Sequence, residues 1–252
     1  MASIDLIIDN QVATLTINNP AKLNCLTWEM LQQLQQHLHT IERAGDSIRL
    51  CLLTAAESRA FCAGADISDW GKLSARDFSQ HWLRQGNRIF SHFAQLPMPT
   101  IAVIEQAVMG GGLELIACCD TRLINFKVTF ALPETAIGVI PGWSGTQRIC
   151  HLLPETLLKN MVLFGQPMNA TQAQDSGFAH ICEDVYQTAN EWQVEVLKRS
   201  PEANRIAKMM IHASVGENTS DMIDALGGGF SASTVDKATG VEAFLNKKPP
   251  VF

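Results

Sequence analysis

Two glutamates lie near glycine-bearing turns, where an acid could act on a bound ligand. Glu114 follows Gly111 by three residues, so on a helix its side chain returns to the face of that first-turn N–H group. It lies in an apolar run, where a carboxylate is costly unless it is paired or used. Glu134 ends a second apolar segment, before the glycine-bearing loop 138–142. Taken singly, Glu114 is explained at least as well by a helix-terminal charge, and Glu134 by a turn cap.

Two turns expose backbone N–H groups near these acids. Residues 61–66 follow a predicted buried strand, and Gly110–Gly112 follow another and open a helix. N–H groups are unsatisfied at such turns, and glycine lets a ligand approach the main chain. Two of them on one oxygen form an oxyanion hole, in which each donor is typically worth about 3–4 kcal/mol. A glycine cluster alone is more typical of a packing turn, but two turns with two acids favour catalysis.

Composition excludes several classes of function. The chain has 252 residues, a net charge of −6 and 46% hydrophobic residues, which argues for a globular protein and against a general nucleic-acid or membrane-surface binder. Seven scattered cysteines without a CxxC pair indicate reduced thiols. No signal peptide or membrane-spanning run is evident. We therefore predict a soluble cytoplasmic protein.

The elements that must position the two acids follow from periodicity. Residues 4–8 and 12–18 alternate as a hairpin does, and Thr27 can cap a helix. Buried strands are expected at 48–54 and 100–104, an irregular stretch at 55–70, and a short helix at about 113–119. The remaining predicted strands are 121–125 and 129–132, and the remaining predicted helices are 75–95, 146–152, 155–164, 170–176, 186–199, 201–215, 219–226 and 237–246. This order predicts an α/β core over residues 1–195 and a helical region over 196–252 within one structural unit.

Other chemistries find less support in the sequence. Neither glycine triplet has the spacing of a dinucleotide-binding or phosphate-binding loop. Residues 142–146 lack the second glycine of a nucleophile elbow. His37 and His39 fall on different helix faces and the other histidines show no ligand spacing, so no metal site is predicted. The triplet Gly227–Gly229 is expected to interrupt the C-terminal helices.

Several segments together resemble the crotonase (enoyl-CoA hydratase/isomerase) superfamily over essentially the whole chain. They occur in the order and spacing of that family. The segments are residues 19–26 (Asn-Pro-Ala-Lys-Leu-Asn-Cys-Leu), 59–67 (Arg-Ala-Phe-Cys-Ala-Gly-Ala-Asp-Ile), 109–115 (Met-Gly-Gly-Gly-Leu-Glu-Leu), 133–148 (from Pro-Glu to Gly-Thr-Gln-Arg) and 242–249 (from Glu-Ala-Phe-Leu to Lys-Lys-Pro).

The resemblance implies a layered ββα spiral core with a C-terminal helical trimerisation region, assembled as homotrimers or dimers of trimers. It implies that the N–H groups of Ala65 and Gly111 bind the oxygen of a thioester. Coenzyme A would be part of the substrate, with no prosthetic group. The Ala63–Ser68 loop, including Asp66, Ile67 and Ser68, would hold the adenine and pantetheine. Lys22 and Lys247 or Lys248 would meet the CoA phosphates, although plain surface solvation explains these lysines equally simply.

Within this family the acids select the reaction. Hydratase-like members carry glutamates at the positions of Glu114 and Glu134, which can hold a water molecule between them, and the Gly142 N–H would orient that water. Two nearby carboxylates should share one proton. Isomerases tend to use one acid, and the dehalogenase branch uses an aspartate where this chain has residues 142–144. The sequence therefore favours a hydratase, then an isomerase; a non-catalytic acyl-CoA-binding member is the alternative of another class. An acyl-carrier-protein thioester presents the same pantetheine arm as CoA.

The chain departs from the family pattern at two places that bear on the site. Residues 105–108 (Glu-Gln-Ala-Val) replace a small-residue stretch with an Asn-Gly step, which suggests an altered backbone before the triple glycine. Trp143 occupies a position that is often small. Together with Trp70, it is expected to shorten the acyl pocket, which predicts a preference for short or compact acyl groups.

Overall fold

The protein forms two compact units in the computed structural model, which describes residues 2–217 and 219–251. The first unit ends at Asn204 and the second begins at Arg205. The predicted boundary after residue 195 lies inside a helix, Val185–Leu197. The assembly role predicted for residues 196–252 stays a prediction.

A six-stranded sheet forms the larger layer of the first unit. Its strands, in spatial order, are β1 (Ser3–Asp9), β2 (Val12–Asn18), β3 (Leu50–Ala55), β5 (Thr100–Ile104), β7 (Thr121–Ile124) and β10 (His180–Ile181). The antiparallel pair β1–β2 confirms the predicted hairpin, and the other neighbours are parallel. All five residues of β5 are buried, because apolar side chains cover both faces of a parallel sheet.

A second, four-stranded sheet completes a spiral of paired strands. Its strands are β4 (Ala60–Cys62), β6 (Ala107–Met109), β8 (Thr129–Ala131) and β9 (Met168–Asn169). Each of β3, β5 and β7 is followed along the chain by a strand of this smaller sheet and then by a helical segment. The predicted α/β class with paired strands and helices is confirmed.

The helices of the first unit are α1 (Trp28–Ala44), α2 (Ile67–Trp70), α3 (Ala75–Asp77), α4 (Arg84–Ala94), α5 (Gly111–Ile116), α6 (Arg148–Leu152), α7 (Glu155–Phe164), α8 (Ala170–Asp175) and α9 (Val185–Leu197). Helix α10 (Pro201–Ser214) begins in the first unit and ends in the second. The Thr27 hydroxyl caps α1 by accepting a hydrogen bond from the Met30 N–H at 3.2 Å. The buried side chains of α1 recur at helical spacing and are Met30, Leu31, Leu34, Leu38 and Ile41.

The helix predicted over residues 75–95 is confirmed as a helical segment, but its middle is wound differently. Residues Phe78–Leu83 between α3 and α4 form a π-helical stretch. Such stretches are uncommon and often occur at functional sites, because they redirect side chains. Here the stretch carries Trp82 and Leu83, which line the pocket described below.

Several expectations for the first unit were wrong in detail. Residues 55–70 are not irregular throughout, since they contain β4 and α2. Strands β6, β9 and β10 were not predicted, because two or three residues are too few to show an alternating pattern. Helix α5 begins at Gly111, earlier than expected, because the backbone of the triple glycine itself enters the helix.

The second unit contains the remaining helices of the described chain. These are α11 (Thr219–Ala232) and α12 (Val235–Leu245). The expected interruption at Gly227–Gly229 is wrong, because α11 continues through all three glycines. Glycine in a helix costs about 1 kcal/mol relative to alanine but keeps its N–H donor, so it weakens a helix without breaking it. Among the residues described, no helix combines the length and apolarity needed to cross a membrane.

Candidate active site

A cleft of about 260 Å³ in the first unit is lined by residues from both predicted turns and both predicted acids. It is mainly apolar, with the two carboxylates as its acidic groups. The five residues assigned a catalytic role from the sequence all line it: Ala65, Gly111, Glu114, Glu134 and Gly142.

The two N–H-bearing turns lie directly against each other. The turn after β4 is fixed by Leu26, whose N–H donates to Gly64 O at 2.8 Å and whose carbonyl accepts from Asp66 N at 2.8 Å. A Cβ atom on Gly111 would lie 3.5 Å from the Ala65 nitrogen. Gly64 has φ +102°, which favours glycine, and a Cβ there would lie 3.3 Å from Met109 O. The two turns can therefore approach each other this closely because positions 64 and 111 are glycines.

Glu114 is buried on α5 and is held by backbone donors. Its Oε1 accepts hydrogen bonds from the N–H groups of Trp143 at 2.7 Å and Gly145 at 2.8 Å. Burial, and secondarily the negative charge of Glu134, raise the pKa of Glu114 to about 7 against the opposing effect of these donors. Glu114 is therefore poised to exchange a proton near neutral pH.

Glu134 begins a short 3₁₀ turn, Glu134–Ile137, on the pocket wall. Burial raises its pKa above the usual value. Its Oε2 atom is buried and has no hydrogen-bond partner among residues 2–217 and 219–251. Its Oε1 would lie 2.9 Å from a Cβ placed on Gly110, which brings this acid next to the second turn. Glu114 thus has an oxygen that already accepts two hydrogen bonds from the protein, whereas Glu134 has an oxygen that accepts none from the described residues.

The loop that holds Glu114 is itself clamped by a side chain that the sequence did not single out. Asn87 on α4 donates from Nδ2 to Gly142 O at 2.8 Å and accepts from Ser144 Oγ at 2.6 Å. Ser144 has φ +74°, a conformation that costs free energy for a residue other than glycine. The sequence contained one sign of this role, because Asn87 places a polar amide three residues before Phe90, on the apolar face of the helix.

Trp143 fills the space between α4 and α5. It is 2% exposed and packs against Trp82 and Phe90, with ring centroids 5.1 and 5.2 Å away. Its indole N–H donates to Trp82 O at 3.2 Å. A Cβ on Gly86 would lie 2.2 Å from its Nε1 atom, so α4 makes room for this ring with a glycine. The indole is therefore fixed in the pocket wall.

The residues predicted to bind coenzyme A fall into three groups. Ala63 and Ile67 line the pocket, while Lys22 forms an ion pair with Asp66 at 2.6 Å, and Ser68 N–H donates to the same carboxylate at 3.0 Å. Burial opposes ionisation of Asp66, but the hydrogen bonds from Lys22 and Ser68 lower its pKa overall. Lys247 and Lys248 follow α12 in the second unit.

Comparison with known sequences identifies the family. The sequence profile described as Enoyl-CoA hydratase/isomerase matches residues 8–252. The chain belongs to the enoyl-CoA hydratase/isomerase family. The predicted resemblance is confirmed, and the protein therefore belongs to a family of enzymes.

Individual members of the enoyl-CoA hydratase/isomerase family support this placement. The chain is 32% identical over 249 residues to a putative enoyl-CoA hydratase/isomerase of Bacillus subtilis, which covers 97% of this chain and 95% of that protein. It is 28% identical to a short-chain-enoyl-CoA hydratase of Clostridium acetobutylicum, over 95% and 93% of the two chains. The crystal structure of an enoyl-CoA hydratase from Bacillus anthracis superposes with a TM-score of 0.79 at 27% identity, covering 99% and 98% of the two chains.

Proposed function

We propose that this protein is a hydro-lyase that adds water across, or removes it to form, the α,β double bond of an enoyl-CoA thioester. One observation carries the proposal: Glu114 and Glu134 line the same cleft as the main-chain turns of Ala65 and Gly111. A hydratase needs two proton-transfer groups and N–H donors that polarise the carbonyl of the substrate. The two acids and the two turns of this cleft supply them. Membership in the enoyl-CoA hydratase/isomerase family supports the coarser part of the proposal, chemistry on an enoyl-CoA thioester.

The thioester oxygen accepts hydrogen bonds from the Ala65 and Gly111 N–H groups. When a nucleophile adds at Cβ, negative charge develops on that oxygen as an enolate, and two fixed donors stabilise it without reorganisation. The donors are stiff because their turns pack backbone against backbone, as the glycine contacts at residues 64 and 111 indicate.

The two glutamates manage a water molecule and two protons. With one proton shared between them, the ionised carboxylate removes a proton from water as its oxygen bonds to Cβ, and the protonated one delivers a proton to Cα. The unpaired Glu134 Oε2 is available to such a water. The Gly142 N–H orients it. After the reaction the two glutamates again share one proton, so the enzyme has returned to its starting protonation state.

The acyl group is short or compact. Trp143 and Trp70 line the cleft, and Trp143 is fixed by Trp82 and Phe90 so that it does not swing away. A rigid indole at this position limits the length of chain that fits. Crotonyl-CoA should therefore be turned over more efficiently than a decenoyl thioester, and equal efficiency would contradict this assignment.

The Ala63–Ser68 loop binds the adenine and pantetheine of CoA, and no prosthetic group takes part. Lys22 and Lys247 or Lys248 contribute positive charge for the phosphates. Assaying the same acyl group on CoA and on an acyl carrier protein separates the two carriers. A cytoplasmic location is part of the proposal, and the free thiols of all seven cysteines support it.

The active form is a homotrimer or a dimer of trimers. Large apolar side chains on the second unit support an assembly, since Val235, Phe244 and Leu245 are each more than 70% exposed in the single chain. Light scattering of the purified protein tests this directly. A monomer at micromolar concentration would contradict it.

Loss of the enoyl-thioester absorbance on mixing with crotonyl-CoA is the decisive test. Glu134→Gln should lower kcat by about 10²–10⁴-fold with the fold intact, because general acid–base catalysis has this magnitude. Glu57→Gln, which changes an exposed glutamate, is the matched control and should leave kcat unchanged. Migration of a double bond without hydration would point to an isomerase instead, and binding without turnover to a non-catalytic member.

A further inference from the structure

Three side chains of metal-binding types meet on the surface of the first unit, and none of them lines the cleft. His39 and Glu42 lie on α1, and His92 lies on α4. His92 Nε2 is 2.9 Å from Glu42 Oε2, and His39 Nδ1 is 3.9 Å from the same oxygen. Two imidazoles thus converge on one carboxylate. In the part of the chain that the structure describes, no other set of three His, Cys, Asp or Glu side chains is found so close together.

The spacing of the three ligand atoms suits a transition-metal ion. One atom from each residue lies within 4.8 Å of the others. Zinc holds imidazole nitrogen and carboxylate oxygen at about 2.0–2.2 Å, so small side-chain rotations would bring all three atoms into contact with one ion. Imidazole with carboxylate suits Zn²⁺, Ni²⁺ or Cu²⁺, whereas Ca²⁺ and Mg²⁺ prefer oxygen ligands throughout.

An ion pair alone does not account for the second imidazole. His92 lies at hydrogen-bond distance from Glu42, 2.9 Å, whereas His39 at 3.9 Å is too far to form a second hydrogen bond with it. The His39 and His92 rings are 4.8 Å apart, so two protonated imidazoles would repel each other there. A divalent cation would instead satisfy both neutral rings and the carboxylate together.

The cluster is largely arranged before an ion arrives. His39 and Glu42 are three residues apart on α1, which places them on one helix face. The His92 side chain is only 17% exposed, which restricts its movement. Because α1 and α4 already pack against each other, binding would require no change of fold.

We propose that His39, Glu42 and His92 form a binding site for a divalent transition metal of the Zn²⁺ class, with solvent completing the coordination. A bound ion links α1 to α4, the helix that also carries Asn87. The site is separate from the proposed hydratase chemistry and does not depend on it. Spacing along the sequence could not predict it, because the third ligand comes from another helix.

Calorimetric titration of the chelator-treated full-length protein with Zn²⁺ tests the site. We expect saturable binding of one ion per chain, and an increase in the thermal unfolding temperature on adding Zn²⁺. His39→Asn and His92→Asn should each weaken binding by at least the roughly 10–100-fold that outer partners of metal ligands contribute. Because His39 is exposed, its variant should fold normally, which circular dichroism checks.

Two controls separate this site from other zinc ligands. His81 pairs with Asp77 at 3.7 Å but is not part of a three-residue group, so His81→Asn should leave Zn²⁺ affinity unchanged. Alkylating the accessible thiols should also leave it unchanged. Absence of saturable binding, unaltered affinity in both the His39 and His92 variants, or loss of binding on alkylation would each overturn the proposal.

Discussion

The two walls of the cleft are held in place by different kinds of contact. On one wall the turns at residues 63–66 and 110–112 are held backbone to backbone, and glycines occupy positions where a Cβ would collide or require an unfavourable φ. On the other wall residues 142–145 are held by side chains, through the Asn87 clamp and the packing of the Trp143 ring against Trp82. Adding a methyl group to the turns of the first wall should therefore abolish most activity, whereas removing the Asn87 side chain from the second wall should reduce it only moderately.

Of the substitutions that compare the two walls, adding one methyl group to the backbone-held wall should have the largest effect. Gly64→Ala places a Cβ 3.3 Å from Met109 O at φ +102° and should separate the Ala65 and Gly111 donors. Loss of oxyanion donors typically costs about 10²–10³-fold in kcat. Hydration of crotonyl-CoA measures the loss. Gly165→Ala is the control, since it has φ +63° with open space around it and should cost stability without selective loss of activity. Similar activity losses in both variants would argue against the oxyanion role.

Glu114 connects the two walls, and its ionisation should make stability depend on pH. Its pKa is raised from 4.5 to about 7 in the folded protein, so the unfolded chain releases this proton first as pH rises. The resulting loss in free energy of unfolding is absent below pH 4.5, grows between pH 4.5 and 7, and amounts to roughly 3 kcal/mol above that range.

Denaturant unfolding across this pH range measures the effect. The parent should lose free energy of unfolding as pH rises, and Glu114→Gln should lose markedly less, because its amide oxygen can still accept from Trp143 and Gly145 while carrying no charge. Parallel pH profiles for the two proteins would show that the buried acid is not the titrating group.

The side-chain-held wall should respond more moderately. Asn87→Ala removes both hydrogen bonds of the clamp, at about 1 kcal/mol each, and should lower kcat about tenfold with little change in KM. Because the loop supplies the N–H groups that stabilise ionised Glu114, the acid's pKa in the pH–rate profile should also rise. Gln85→Ala, an amide on the same helix outside the clamp, is the control. An unshifted profile would mean that Asn87 acts only on stability.

The contrast between the walls also explains what the sequence could predict. Gly110–Gly112 lie a few residues before Glu114, which is a local pattern, whereas the roles of Ala65, Gly111 and Gly142 were implied by the family resemblance; all five predicted catalytic positions line the cleft. The hairpin and the capped helix α1 follow from local periodicity in the same way. Asn87 lies 55 residues from Gly142, and α11 continues through three glycines because intrinsic propensity is only a weak preference. Contacts between distant segments leave no spacing to recognise.

The smallest effect is expected where a side chain supplements the backbone-held wall. Lys22 pairs with Asp66 at 2.6 Å, but its own side chain is 57% exposed, and the turn beside it is already fixed by Leu26. Solvent screens exposed pairs, so Lys22→Ala should change KM for a CoA thioester by a factor of about five or less and leave kcat unaltered. Lys72→Ala, which changes an exposed lysine six residues after Asp66, is the control. If Lys22→Ala instead lowered kcat, the ion pair would be positioning the Ala65 donor, and the backbone of this wall would not be sufficient to hold it.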